Sequence, residues 1–151
     1  MNDFRNRLNG NYIFNANWKE LYVLTEYWKS DLLFYKDDLL FLERLIDKHI
    51  LWISKKEDYE AVRAIEKSVA KTNNICTALL KRVQKHLTHL ADLMENPFVY
   101  DEQTFRNEHQ QLEDDFTAFI KTYRVNKKEV FEITKHLIES DELIRLLTQS
   151  T

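Results

Sequence analysis

The chain has one glycine, Gly10, and one proline, Pro97, in 151 residues. Average usage would supply roughly ten of the first and seven or eight of the second. These residues provide the backbone conformations of tight turns. A chain this poor in both is excluded from turn-rich folds such as sandwiches, barrels, propellers and doubly wound sheets. Phosphate loops, dinucleotide fingerprints and nucleophile elbows, which all need glycine, are excluded with them. Hydrophobic residues make up 44% and charged residues 31%, which sets the chain apart from disordered sequences. A chain of this length buries roughly 68–70% of its unfolded surface, enough for a core without metals or disulfides. Helix is the structure left.

The apolar spacing agrees. A first helix starts near Trp18, where Asn17 and Glu20 stand at capping-box spacing. Leu21, Leu24, Trp28, Leu32, Tyr35, Leu39, Leu42 and Ile46 follow in steps of three and four, with Ile53 seven further on. A second capping box, Ser54 to Glu57, predicts a new helix from near residue 55. One rod from Trp18 to Glu95 would be more than about 100 Å long at 1.5 Å per residue and would bare broad apolar faces, so a hairpin is the preferred reading. The second helix carries Val62, Ile65, Val69, Cys76, Leu79, Val83, Leu87, Leu90 and Met94, with Thr72-Asn73-Asn74 as a weak point and Asn96-Pro97 as its end. Asp101 caps a third helix whose stripe is Phe105, His109, Leu112, Phe116, Phe119, Tyr123, Val130, Ile133, Leu137 and Ile144. Asn126 and Lys127 interrupt that stripe, and Asn126 stands three before Glu129. A break near 125 giving a fourth helix is therefore weighed against one kinked helix, which is preferred.

The expected fold is an all-α, antiparallel up-down bundle of three long helices with coiled-coil-like packing. Residues 1–16 read as an Asn-rich N-terminal arm and 17–151 as a single domain. A three-helix bundle with an early Trp on its first helix resembles spectrin-like repeats. That resemblance is one of architecture and implies no function here.

Charge and compartment narrow the field. The net charge of −3 argues against a nucleic-acid binder. Cys76 is the lone cysteine, so no intrachain disulfide forms and a reducing, cytoplasmic location is expected. The N-terminal stretch lacks the apolar centre of a signal peptide. The longest apolar runs are four residues, against ~20 for a membrane span. Lys67, Lys71, Lys81, Arg82 and Lys85 form a basic run that suggests nucleic acid or anionic lipid. With a turn near residue 98, however, its end comes level with Glu113, Asp114 and Asp115. Pairing with that neighbouring helix explains the run without a ligand.

Chemistry-bearing residues are sparse. The histidines are His49, His86, His89, His109 and His136. None sits in the Glu-x-x-His, His-Glu-x-x-His or paired Cys-x-x-Cys patterns of metal proteins. His86 and His109 fall at one height on helices two and three, and helix one offers Glu26 there. A two-His, one-carboxylate metal site is the alternative reading. A hydrogen-bonded interior pair is preferred, and it would resist charging and lower stability below about pH 6. Cys76 lies on the apolar stripe and reads as a core thiol. No set of side chains supplies acid, base and nucleophile together, so neither enzymatic activity nor a cofactor is expected.

The first helix is too apolar for one-sided burial. In Asp31–Ile53, 14 of 23 residues are apolar or aromatic. A buried stripe needs only ~100° of helix surface. Leu33, Phe34, Leu40, Phe41, Leu45 and Leu51 spill beyond it. Either the other helices and the arm, through Phe4, Ile13 and Phe14, cover the surplus, or it is an interface. A hydrophobic ligand pocket in the core is a weaker option. The functional expectation is a non-enzymatic interaction or scaffold protein. It forms a homodimer, or takes a helical partner, through Leu33, Phe34, Leu40, Phe41, Leu45 and Trp52. The runner-up is a metal- or ligand-binding bundle that uses His86 and His109.

Overall fold

The computed structural model describes residues 16–149. Three helices account for nearly all of them: α1 Trp18–His49, α2 Lys56–Glu95 and α3 Glu102–Gln149. A single 3-10 turn, Ile50–Trp52, follows α1. Among the described residues there is no strand, and the three helices pack against each other as an all-α bundle. The proposed arm, residues 1–16, lies outside the described residues except for its last, Ala16.

Local chemistry sets most helix ends. The Glu20 N–H donates to Asn17 Oδ1 at 2.8 Å, and the Asn17 N–H donates back to Glu20 Oε1 at 3.4 Å. This reciprocal pair satisfies two of the orphan donors at the start of α1. At α3 the Asp101 carboxylate accepts the Thr104 hydroxyl at 2.7 Å and the Thr104 N–H at 2.9 Å. Those two bonds hold the Asp101 carboxyl below the usual carboxylate range. At α2 the first helical bond runs from the Tyr59 N–H to the Lys55 carbonyl at 3.1 Å, so Lys55 takes the capping position expected for Ser54. The end of α2 falls at Glu95, where Asn96 Oδ1 accepts the Phe98 N–H at 3.1 Å in a side-chain turn across Pro97.

The chain forms two compact units. Among the described residues, the first combines 16–33 with 77–118. Its core gathers Leu21 from α1, Leu90 and Leu93 from α2, and Phe105 from α3. Trp18 meets Phe105 edge-on at 5.6 Å, and the Arg106 guanidinium lies 4.3 Å from the Trp18 ring centroid. The expected stripe is corrected at one point: Leu93 is buried, whereas Met94 is exposed. A step of three from Leu90, rather than four, keeps the apolar side chain on the inner face.

Among the described residues, the second unit combines 34–76 with 119–149. Leu39, Leu42, Ile46, Val62, Val69, Cys76, Val130 and Leu137 are buried. Burial pushes the Cys76 thiol up to about 11, as befits a core thiol. In this unit α3 runs unbroken through residue 126, which overturns the four-helix alternative. Asn126 is buried and turned away from its own backbone. Its amide donates to Ser68 Oγ at 2.8 Å, and its carbonyl accepts the Thr72 hydroxyl. An asparagine engaged this way is not available to cap a new helix. Thr72, expected as a weak point of α2, is its buried partner.

Replacing Asn17 by Ala removes half of the capping box. Urea denaturation should show a loss of about 1 kcal/mol, while Asn17→Ser should stay within a few tenths of the wild type.

Candidate functional site

Two features stand out: a buried histidine pair and the outer face of α1. The pair lies within the first unit. His86 Nε2 and His109 Nδ1 are 2.7 Å apart and both rings are buried. Phe105 stacks on His86 at 4.6 Å, and Trp28 stacks on His109 at 4.9 Å. The pair is thus a polar link inside an aromatic column. One imidazole donates and the other accepts, and burial holds both rings neutral near pH 7. The remaining His109 nitrogen, Nε2, is buried without a hydrogen-bond partner.

The spacing is that of a hydrogen bond. Two nitrogens on a tetrahedral ion at about 2.0–2.1 Å would stand about 3.3 Å apart, each presenting a lone pair to the metal. The structure brings His86 and His109 together but leaves Glu26 exposed. Among the described residues, no three His, Cys, Asp or Glu side chains are arranged to hold a metal ion.

Beside the pair a cleft of about 320 Å³ is lined by Arg82, Lys85, His86, His89, Glu108 and Gln111. Its basic residues are those of the run on α2. Arg82 is bound to Asp115 at 2.8 Å across to α3, the pairing expected from the turn near residue 98. In the first unit, partners rise along α2 as they fall along α3, from Arg82–Asp115 to His86–His109.

Sequence reasoning missed a polar cluster in the second unit. The Tyr123 hydroxyl donates to Asp38, and Lys127 Nζ reaches the same carboxylate at 3.0 Å. Burial, together with the Asp38 bond and charge, pushes the Tyr123 phenol up, so it stays protonated. The visible signal was Lys127 on a seam position of α3.

The outer face of α1 matches the surplus seen in the sequence. Phe34 is 61% exposed, Phe41 48%, Leu33 47% and Leu40 41%. Leu45 is half-buried, and the Trp52 side chain lies outside the described residues. The inner positions Leu32, Leu39, Leu42 and Ile46 are buried, so the helix carries apolar residues on two sides. Among the described residues, no helix is long and apolar enough to cross a membrane. No protein-family model, curated protein or solved structure matches the chain.

The histidine pair makes stability depend on pH. Burial, with the electrostatic influence of His89 and Arg82, lowers His86 to about 4. Burial, with His86 and Arg106, lowers His109 to about 3. Glu108 and Glu113 on α3 and Glu26 on α1 are the carboxylates nearest along the chain to this level. In the unfolded chain both imidazoles titrate near 6.5. Between that value and the folded ones the unfolded state binds more protons, so stability is full above about pH 7 and falls as pH drops below 6.5. Unfolding free energies from urea denaturation at pH 7.5 and pH 5 should differ by on the order of 2 kcal/mol for each imidazole held neutral. The variant His86→Phe with His109→Phe should flatten the decline. An unchanged midpoint across that range in the wild type would contradict the neutral pair.

Proposed function

We propose that this chain is a non-enzymatic helical interaction protein that associates with a second copy of itself through the outer face of α1. The supporting observation is the exposure of Phe34, Phe41, Leu33 and Leu40 on one helix whose opposite side already fills a core. Burying a large apolar side chain is worth ~1.5–3 kcal/mol, so covering this face would contribute substantially to association. A symmetric dimer is the commonest way for a chain to cover such a face. The bundle itself is read as antiparallel and coiled-coil-like. A cytoplasmic setting suits the lone buried thiol. Binding of nucleic acid is disfavoured by the net charge of −3 and by the pairing of Arg82 with Asp115. The metal reading has no comparable support, because His86 and His109 spend two nitrogens on each other.

Light scattering behind a sizing column, on untagged protein over a wide concentration range, tests the reading. The expected mass is twice 18.3 kDa. Phe34→Glu with Phe41→Glu should yield a monomer with unchanged helical circular dichroism, because both side chains lie outside the core. A wild-type monomer at the highest concentrations would overturn the proposal.

A further inference from the structure

The outer line of α1 in the second unit runs Phe34, Asp37, Phe41, Arg44 and Lys48, in helical steps of three and four. All five are exposed. Just past the helix, in the 3-10 turn, Leu51 is 87% exposed. The order along this line is not symmetrical: the acid comes early and the two bases come late. That asymmetry has consequences for how the line can meet a copy of itself.

In a parallel pair every residue meets its own kind. Asp37 would face Asp37, Arg44 would face Arg44 and Lys48 would face Lys48, and like charges in contact disfavour a partner. In an antiparallel pair the line meets itself reversed, and the register decides the contacts. One register sets Phe34 against Leu51, Asp37 against Lys48 and Phe41 against Arg44, each contact occurring twice about the two-fold axis. Its contacts are apolar on apolar, acid on base, and cation over aromatic ring. Sliding by one heptad places Asp37 against Phe41 and leaves Lys48 without an acid opposite. Leu33 and Leu40 flank the line and add apolar area in either case.

The geometry points to an antiparallel α1–α1 homodimer with its two-fold axis between Phe41 and Arg44, its register set by Asp37–Lys48 pairs. This rests on the self-association proposed above and adds its orientation and register. The occupant of the face is a second copy of this chain because the line is complementary to its own reverse.

Charge reversal provides the test. Asp37→Lys places two Lys–Lys contacts in the dimer, and Lys48→Asp places two Asp–Asp contacts. Each single variant should dimerise on the order of tenfold more weakly than the wild type at low salt, measured by sedimentation or light scattering. An equimolar mixture of the two should recover wild-type association, since every contact is then Lys against Asp. The double variant in one chain should also recover it. That recovery excludes misfolding as the cause of the single-variant losses. A parallel dimer would behave differently, since neither single variant adds a like-charge contact to those already present, and the double variant would gain nothing. A dimeric wild type with unweakened single variants, or without recovery on mixing, overturns the register while leaving self-association in place. A wild type that is monomeric throughout overturns both, and assigns the face to another segment of the chain or to a different partner.

Discussion

A helix with two neighbours can hide only a stripe of its surface, a little over 100° wide. In a bundle of three that limit sorts every residue. On α1 the stripe is filled by Leu21, Leu32, Leu39, Leu42 and Ile46, all buried. The apolar residues beyond it, Leu33, Phe34, Leu40 and Phe41, have no room inside and stand on the outer face. On α2 and α3 the limit acts the other way. Some positions inside the stripe are held by polar residues, and each of these requires a partner at the same level.

The interior polar groups satisfy that requirement in related ways. His86 meets His109 through one hydrogen bond between rings stacked on Phe105 and Trp28. Asn126 takes Thr72 and Ser68, and Tyr123 takes Asp38 with Lys127 alongside. An unpaired polar group in an apolar interior costs far more than a hydrogen bond returns, so such pairings specify which levels of two helices come together. The histidine pair adds a condition of its own. Burial disfavours charging either ring, so this part of the first unit depends on pH and the Asn126 link does not.

Caps and periodicity were legible because their causes are local. Asn17 bonds Glu20 and Asp101 bonds Thr104, each three residues along the chain. The level match of His86 and His109 was legible too, since equal rise per residue on two helices joined by a short turn sets it. The continuity of α3 was not, because Asn126 finds its partners 54 and 58 residues away. Asn126 and Glu129 form a capping pattern when read alone, and only the buried Thr72 removes the side chain from that role. The start of α2 falls just past the expected cap: helical bonding begins at the Lys55 carbonyl, not at Ser54. Met94 was an error of phase, made where the stripe nears the end of its helix and steps of three and four both fit the pattern.

By itself the sequence determined the all-helical fold, the positions of the helices, the inner stripe of each and the surplus of apolar residues on the first. These follow from a scarcity of turn residues, from capping chemistry spanning four residues and from a 3.6-residue period. Tertiary structure alone decided that the two histidines bond each other, that Glu26 stays outside and that Asn126 is held within the bundle. It also decided that Phe34 and Phe41 remain on the surface. Those outcomes depend on which side chains meet across helices and on how much circumference two neighbours cover, and neither is contained in the spacing along one helix.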